Sequence, residues 1–312
     1  KDTSSLEFFV VQDNFMTPTA RFADLVLPAC TQFETWGMED GWKYGEELIF
    51  QPKIFDPLGE SKSDYAICAA IADKLGIGEE FTEGRDEKQW ISALMDDYRE
   101  QRFSDLPTLE EFEKQNLGVY SRPVDNPRVA FETFREDPLA NPLPTPSGKI
   151  EIFSAEMFDR DLPKEAPAIP KYVQEWESPF GPESKEYPLQ VIGTHFMPRV
   201  HSTFANCDWN AEAFPQRVFI NPLDAESRDL KDGQRVRIFN NRGTVILPCR
   251  ITPRILPGVV NIPQGAWWQP DEDGNDIGGS VNTLTSERWS PFAFGNTQHT
   301  IMAQVTALEA DA

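Results

Sequence analysis

Residues that build metal centres are scarce in this sequence, which has 4 cysteines and 3 histidines among its 312 residues. The cysteines lie far apart and form no Cys-x-x-Cys pair. That spacing excludes a zinc ribbon, a c-type haem site and a self-contained iron–sulfur cluster. Because Cys68 lies in an apolar helical pattern, we expect it to be a small core residue. We expect no structural disulfides.

Positive charge is scarce as well, since 29 Lys and Arg oppose 51 Asp and Glu and give a net charge of -22. A chain this acidic repels nucleic acids and anionic membrane surfaces, so we predict no nucleic-acid partner. An anionic ligand therefore needs a local cluster of donors. No apolar run approaches the roughly 18 residues that span a bilayer, and no signal peptide is visible. The chain opens without an initiator Met, so we interpret it as a fragment and leave its localisation open.

Short apolar runs and two helical patterns fill the first hundred residues. Residues 6–11, 25–28 and 48–50 predict strands, and the glycine- and acid-rich stretch 34–45 between them predicts a loop. Helices are predicted at 65–75, ended by Gly76, and at 87–98. The predicted inward positions of the two helices are Ile67, Ala70, Ile71 and Leu75, then Trp90, Leu94 and Ile91. The predicted core of this part is Phe9, Val11, Leu27, Ile71 and Leu94.

Proline and acidic residues dominate from 103 to 185. This part predicts one short strand, at 149–153, and a linker at 163–186 that lies over a surface. From 187 onward, short strands alternate with turns, which implies a closed barrel. The predicted strands lie at 187–192, 217–220, 235–239, 244–247, 250–252, 259–262 and 300–306. The predicted barrel core is Val191, Ile192, Ile220, Val236, Ile238, Val245 and Ile262.

The stretch 193–202 contains two of the three histidines. After an apolar strand and Gly193, it presents His195, Arg199, His201 and Ser202 together. Several hydrogen-bond donors beside one fixed positive charge suit a planar heterocycle that carries phosphates. The alternative interpretation is a strand end followed by ordinary polar loop residues.

Three groups of motifs carry a family resemblance. The segment 13–28 resembles a hallmark of the molybdopterin oxidoreductases of the dimethyl sulfoxide reductase family. Asn221-Pro222-x-Asp224-Ala225, together with the later Asp-Gly and Asn-Arg-Gly turns at 232 and 241, resembles the dinucleotide-binding barrel of that family. The tail 278–296 is most similar to the catalytic A subunits of anaerobic dimethyl sulfoxide reductases.

The resemblance implies the end of a Rossmann-like α/β domain followed by a double-psi β-barrel, the molybdopterin dinucleotide-binding domain. We predict the α/β part at 1–105, a proline-rich connecting region at 106–186 and the barrel at 187–312. The implied cofactor is molybdenum bis(molybdopterin guanine dinucleotide). The metal ligand and the iron–sulfur cysteines lie upstream in the family, so we expect no catalytic residue and no metal ligand here, and an iron–sulfur cluster only in that upstream region.

The implied function is reduction of S-oxides or N-oxides by oxygen-atom transfer, with this fragment inactive alone. The implied partners are the upstream domains, an iron–sulfur electron-transfer subunit and a membrane anchor subunit, in a bacterial complex that is exported or membrane-associated. One alternative is another enzyme of the family, acting on formate, polysulfide or an aromatic substrate. A second alternative is a non-enzymatic interaction domain.

The resemblance also implies the cofactor-binding residues, in two groups. In the first part they are Gln12, Asp13, Thr17, Gly37 and Asp64. Asp64 would accept two N–H bonds from guanine, or would cap the helix that it precedes. Gln12, Asp13 and Thr17 would contact guanosine or phosphates, or would belong to turns. Gly37 would allow close backbone approach to the cofactor, or would be a turn glycine.

The second group lies in the barrel part. It comprises Thr194, His195, Arg199, His201, Ser202, Asn282, Gln298 and His299. The first five would hold pterin and pyrophosphate oxygens, with Arg199 supplying planar donors. Asn282 would meet a pterin edge, and Gln298 and His299 would close over the second pterin. Trp267 and Trp268 would line a funnel or pack in the core, and we favour the core.

Overall fold

Residues 5–41, 46–114, 118–123, 129–160, 162–291 and 293–308 are described by a computed structural model of the chain. Two units emerge, 1–130 and 131–312. The three-part division predicted from the sequence stays a prediction. No helix in these described ranges has the length and apolarity that a bilayer crossing requires.

The described part of the first unit contains two small sheets. Strands β1 (Val10–Asp13) and β2 (Leu25–Pro28) pair in parallel, and a 3-10 helix at Ala20–Phe22 connects them. Strands β3 (Gly37–Asp40), β4 (Glu47–Gln51) and β5 (Val119–Ser121) form an antiparallel sheet in that order. The stretch 34–45, predicted as a loop, therefore contains a strand. Gly45 lies outside the described residues.

The helices of the first unit are α1 (Asp64–Leu75), α2 (Gly78–Thr82), α3 (Glu87–Gln101) and α4 (Leu109–Lys114). Ser63 caps α1 by accepting a hydrogen bond from the Ala66 N–H at 3.1 Å. The predicted end of α1 is confirmed, because Gly76 adopts the left-handed conformation with φ of 77°. Helix α3 begins with a capping box between Asp86 and Gln89.

The core of the first unit lies between β4 and the helices α3 and α4. Its buried members are Leu48, Phe50, Ile91, Met95, Phe103, Leu106, Leu109 and Phe112. The core predicted from the sequence is wrong: Ile71 and Leu94 are 47% and 43% exposed, and Phe9, Val11 and Leu27 are only half-buried.

The helix faces explain this error. Helix α1 buries Ile67 and Ala72 but leaves Ala70, Leu75 and Cys68 exposed, so Cys68 is not the core residue that we expected. Helix α3 buries Ile91 and Met95. A 3.6-residue period identifies an apolar face, whereas burial depends on what packs against that face. All four cysteines are free thiols.

In the described part of the second unit, six strands close into a barrel in the order β10-β6-β11-β8-β9-β7. They are β6 (Leu189–Ile192), β7 (Val218–Ile220), β8 (Arg235–Asn240), β9 (Gly243–Ile251), β10 (Val259–Asn261) and β11 (Ile301–Ala307). The β6–β10 and β7–β9 pairs are parallel and the other pairs are antiparallel. The predicted barrel is confirmed, and the strands predicted at 244–247 and 250–252 form one strand, β9.

The barrel core follows the two-residue period of its strands. In β6, Leu189 and Val191 are buried, whereas Gln190 and Ile192 are half-buried. Ile192 is therefore the one predicted barrel-core residue that lies outside the buried cluster. The other six belong to it: Val191, Ile220, Val236, Ile238, Val245 and Ile262.

Short helices connect the remaining segments of the second unit. They are α5 (Glu132–Glu136), α6 (Ala155–Asp159), α7 (Asp208–Ala213) and α8 (Pro222–Glu226), with 3-10 turns at Pro182–Lys185 and Val281–Thr283. The predicted cap of α8 is confirmed, since Asn221 Oδ1 accepts a hydrogen bond from the Leu223 N–H at 2.9 Å.

The strand predicted at 149–153 is wrong. Ile150 and Ile152 are 75% and 74% exposed. The Thr145 hydroxyl donates to the carbonyl of Lys149 at 2.7 Å, and the Ser147 N–H donates to Glu151 at 2.9 Å. These local hydrogen bonds hold the segment in turns, because they compete with the pairing that a strand needs.

Candidate functional site

The loop that follows β6 is fastened to the end of β10. The chain leaves β6 through Gly193, and the backbone N–H and hydroxyl of Thr194 both donate to Asn261 Oδ1, at 3.2 and 3.0 Å. The Thr194 carbonyl accepts a hydrogen bond from the Gln264 N–H at 2.9 Å. These contacts fix the start of the 193–202 loop on the barrel.

Gln264 joins three of the predicted site residues. Besides its bond to Thr194, its carbonyl accepts a hydrogen bond from Arg199 Nη2 at 3.2 Å. Its side-chain Nε2 lies 3.3 Å from Nδ1 of His201. The sequence reasoning missed Gln264. The available signal in the sequence was Gly265, which follows Gln264 shortly after the strand predicted at 259–262.

Arg199 is held by contacts inside its own unit. Its Nη2 donates to Gln216 Oε1 at 2.8 Å, and its guanidinium lies 4.6 Å from the ring centroid of Phe196. The Nε atom is buried and has no hydrogen-bond partner among the described residues. Desolvation of the half-buried guanidinium lowers the pKa of Arg199 from its ordinary value. The side chain is therefore a preplaced cation whose Nε–H has no acceptor among the described residues.

The two histidines of the loop form a pair. The rings of His195 and His201 have centroids 5.0 Å apart and an interplanar angle of 66°, and both residues are exposed. His201 has a positive φ of 52°, which is uncommon for a non-glycine residue. Its backbone lies against Gly265, which has a φ of 93°. Two imidazoles are thus presented to solvent by a closely supported backbone.

His299 and Ser202 lie beside this loop. Nδ1 of His299 accepts a hydrogen bond from the Gly193 N–H at 3.3 Å, so the third histidine lies where the loop begins. The Ser202 carbonyl accepts a hydrogen bond from Trp267 Nε1 at 3.1 Å. Asn282 is exposed and Gln298 is half-buried.

A buried carboxylate holds the turn that carries Asn282. Asp276 is fully buried. Its oxygens accept hydrogen bonds of 2.7 to 3.3 Å from the N–H groups of Gln269, Gly278, Gly279 and Ser280 and from the hydroxyl of Thr283. This network offsets the desolvation of the charge and gives the turn one conformation. The sequence reasoning missed Asp276, although an acidic residue shortly before two glycines was visible.

A cavity of about 190 Å³ adjoins the loop. Its walls include the side chains of Phe196, Phe204, Phe214, Trp267, Arg199 and Gln216. Trp267 and Trp268 are half-buried, so the core position that we favoured for them is wrong. The indole N–H of Trp267 is used by the loop carbonyl of Ser202, which places the ring at the barrel surface.

The predicted site residues of the first unit lie at the ends of β1 and α1. Gln12 Nε2 donates to Asp64 Oδ1. Ser63 rather than Asp64 caps α1, so the alternative role of Asp64 as the helix cap is wrong. Asp13 accepts hydrogen bonds from the Phe15 N–H at 3.1 Å and the Thr17 hydroxyl at 3.3 Å, as in a local turn.

Glu34 lies in the segment between β2 and β3, shortly before Gly37. Gly37 begins β3, and a Cβ there would lie 3.5 Å from Cβ of Gln51, an ordinary contact. Glu34 is buried, and its carboxylate accepts hydrogen bonds from the backbone N–H groups of Thr31 at 2.7 Å and Leu58 at 2.6 Å. These bonds lower the pKa of Glu34, the Thr31 bond most. Glu34 thus ties the segment after β2 to the segment before α1.

Comparison with known proteins matches both parts of the chain. Residues 189–302 match the model of the molybdopterin dinucleotide binding domain, and residues 1–74 match the model of the molybdopterin oxidoreductases. Dimethyl sulfoxide reductase DmsA of Escherichia coli K12 is 42% identical over 98% of this chain and 38% of its own length. The dimethyl sulfoxide/trimethylamine N-oxide reductase of Cereibacter sphaeroides is 39% identical over 98% of this chain and 38% of its own length.

The chain belongs to the molybdopterin oxidoreductases of the dimethyl sulfoxide reductase family. It spans less than two fifths of the length of these curated relatives. Acetylene hydratase from Pelobacter acetylenicus has the same fold, with a TM-score of 0.74 over 97% of this chain and 40% of its own, at 22% identity. The predicted family and the predicted α/β plus all-β class are therefore confirmed.

Membership of this family implies a molybdopterin cofactor. The donors of the barrel unit fit the chemistry of such a group. Arg199 retains a buried Nε without a partner among the described residues, and the exposed imidazoles of His195 and His201 lie beside it in sequence. A dinucleotide presents phosphate oxygens and amide-edged rings, which these donors match.

Proposed function

We propose that this chain is the C-terminal, cofactor-binding part of a molybdenum bis(molybdopterin guanine dinucleotide) oxidoreductase. The proposed reaction is reduction of dimethyl sulfoxide or a related S-oxide or N-oxide by oxygen-atom transfer. The observation that carries the proposal is the convergence of Thr194, Arg199 and His201 on Gln264, within the residues that match the dinucleotide-binding model. The names of the relatives support the substrate class.

Arg199 has the central binding role in this proposal. Its guanidinium is already half-desolvated and lies over the ring of Phe196, so donating hydrogen bonds to a phosphate oxygen needs little reordering. His195, His201 and Ser202 add donors from the same loop. The N–H and hydroxyl of Thr194 both donate to Asn261 Oδ1, so Thr194 would bind the cofactor only by exchanging that acceptor. When bound, the molybdenum centre supplies the redox chemistry of oxygen-atom transfer, while the chain binds and orients the group.

The remaining predicted residues have supporting roles. Asn282 presents an exposed amide, which offers both a donor and an acceptor to a pterin edge. Gln298 and His299 would close over the second pterin. In the first unit, Gln12, Asp13 and Thr17 would contact guanosine or phosphates, and Gly37 would allow close backbone approach to the cofactor. The Asp64 carboxylate would accept guanine N–H groups in place of the Gln12 amide that it now binds.

The partners of the chain follow from the same proposal. We expect the upstream domains of the catalytic subunit, an iron–sulfur electron-transfer subunit and a membrane anchor subunit, in a bacterial complex that is exported or membrane-associated. The 312-residue chain alone is expected to show no turnover of dimethyl sulfoxide with a reduced viologen dye. Turnover by the chain alone contradicts this expectation.

The decisive experiment measures molybdenum and acid-released guanosine monophosphate in the complete natural protein. Arg199→Ala should lower both contents several-fold. It should also lower the unfolding free energy by about 1–3 kcal/mol, because it removes hydrogen bonds to one amide side chain and one carbonyl. The control is Arg250→Ala, an arginine that is exposed on the barrel and paired with Asp232 at 2.7 Å.

Substrate assays complete the test. The wild-type protein should reduce dimethyl sulfoxide and trimethylamine N-oxide with a reduced viologen dye as electron donor. Full cofactor content in Arg199→Ala argues against the binding role of Arg199. Turnover of formate or polysulfide in place of the oxides would favour another enzyme of the family, and a protein without guanine nucleotide or turnover would favour an interaction domain.

A further inference from the structure

Gln216 is the residue through which the 193–202 loop meets the turn that carries Asn282. Its side-chain Oε1 accepts the 2.8 Å hydrogen bond from Arg199 Nη2. Its Nε2 donates to the carbonyls of Pro263 at 2.7 Å and Gly279 at 3.1 Å. The amide therefore uses one acceptor and both donors in a single arrangement.

Each of the three partners belongs to a segment that serves the candidate site. Arg199 lies in the 193–202 loop. Pro263 immediately precedes Gln264, which contacts Thr194 and His201. Gly279 lies in the turn held by the Asp276 carboxylate. Gln216 thus connects three stretches that are far apart in sequence.

The turn also packs directly on the Gln216 side chain. A Cβ placed on Gly279 would lie 2.7 Å from Cγ of Gln216, and Gly279 has a φ of 89°. The contact therefore requires glycine for its close approach as well as for its backbone conformation. Displacing the Gln216 side chain therefore removes the packing contact with Gly279 together with the hydrogen bond from Arg199.

We propose that Gln216 is a positioning residue that sets the Arg199 guanidinium and the Asn282 turn relative to one another. The proposal rests on the proposed function, because both groups are assigned there to the cofactor. Only an amide of this length offers an acceptor to the arginine and two donors to the carbonyls. Glutamate keeps the acceptor and loses both donors, whereas methionine keeps the approximate length and loses all three.

The chain contains a matched control in Gln304, a second half-buried glutamine whose amide oxygen accepts a hydrogen bond from an arginine. Gln304 Oε1 accepts hydrogen bonds from Arg228 Nε at 3.2 Å and from the Val305 N–H at 2.9 Å. It lies in β11, on the barrel, and contacts neither the loop nor the turn in the described hydrogen bonds. Gln304→Met therefore reports the general effect of losing a glutamine–arginine contact.

The first measurement is backbone hydrogen exchange in the complete natural protein. Gln216→Met should speed exchange roughly tenfold both at Arg199 and Thr203 and at Gly279 and Ser280, the scale of one lost hydrogen bond. Gln216→Glu should keep protection in the loop and lose it in the turn. Gln304→Met should leave both unchanged. Loosening of only one segment in Gln216→Met, or of neither, overturns the proposal.

The second measurement is guanosine monophosphate and molybdenum content per folded protein. The cofactor content of Gln216→Met should be several-fold lower than that of Gln304→Met at equal thermal stability. Gln216→Glu should recover part of this lost content, because its carboxylate still accepts the hydrogen bond that holds Arg199 in place. Equal contents in Gln216→Met and Gln304→Met overturn the role toward the cofactor. A wild-type protein without guanine nucleotide contradicts the proposed function instead, and the exchange measurement then still decides whether Gln216 couples the two segments.

Discussion

The carbonyl oxygen of His201 lies only 1.7 Å from the position that a Cβ would take on Gly265. No side chain fits at position 265 while the 193–202 loop keeps its place. The histidine loop and the segment that follows β10 are therefore in close backbone contact, and glycine makes that contact possible.

Gly265→Ala should displace the backbone of His201. The control is Gly274→Ala. The φ of Gly274, 81°, is similar to the 93° of Gly265, but nothing lies within 4 Å of the Cβ position of Gly274. The control should cost about 1–2 kcal/mol, from left-handed strain alone. Gly265→Ala should cost about 1–3 kcal/mol more, through the clash. Urea unfolding measures both values, and equal costs would show that the loop does not depend on this approach.

Asp276→Asn should destabilise the barrel unit strongly. The substitution turns an amide NH₂ toward N–H or O–H donors that now bind a carboxylate oxygen. Leaving such buried donors without an acceptor should cost about 3 kcal/mol or more. The neighbouring exposed Asp273→Asn serves as control and should change the free energy of unfolding by less than about 0.5 kcal/mol. A small effect of Asp276→Asn in denaturant unfolding would contradict the proposed organising role.

Arg242→Lys should release part of the connecting region from the barrel. Arg242 bonds both carboxylate oxygens of Glu177 at 2.8 Å, and its Nε donates to the carbonyl of Leu284 at 2.9 Å. Lysine cannot reproduce this fork, so the loss should be about 1–2 kcal/mol. Limited proteolysis should cut the segment 163–186 faster in the variant. Arg250→Lys, in an exposed pair with Asp232, should leave the cleavage rate unchanged.

Glu34 should make the first unit sensitive to acid. Hydrogen bonds from Thr31 and Leu58 hold the pKa of Glu34 below its ordinary value of 4.5. A lowered folded-state pKa adds stability above the unfolded-state value, and that stability is lost as pH falls through the folded-state pKa. The difference in unfolding free energy between wild type and Glu34→Gln should therefore be largest near neutral pH and shrink below 4.5.

A control separates this effect from general acid denaturation. Glu60 is an exposed carboxylate in the same unit. Glu60→Gln should follow the wild-type pH profile of stability throughout. A difference between wild type and Glu34→Gln that stays constant with pH would contradict the charge-based explanation.

Local signals in the sequence were enough to predict much of the barrel. Six of the seven predicted barrel-core residues belong to one buried cluster, and the cap at Asn221 begins α8 as expected. The turn at Asn241 joins β8 to β9 as a hairpin. Each of these signals depends on a few neighbouring residues, so it can be recognised from the sequence alone. The loop 193–202 was recognised for the same reason, since its donors are consecutive.

The segments that pack against each apolar face could not be predicted in the same way. Ile71 and Leu94 lie on apolar faces but stay exposed, while Phe103 and Phe112 from the proline-rich part enter the core. The apolar run at 149–153 remains in turns, because its polar neighbours bond locally. Burial depends on which segments meet, and a period along one segment does not contain that information.

The sequence by itself determined the family, the two classes of fold and the place of the histidine loop, because these depend on motifs of adjacent residues. The tertiary structure alone decided what holds that loop. Gln264 lies 65 residues from Arg199, and Gln216 lies 63 residues from Gly279, yet each pair shares a hydrogen bond. A glutamine in a sequence has no preferred partner. Its donors and acceptor acquire a role only when folding brings distant carbonyls and a guanidinium within about 3 Å of them.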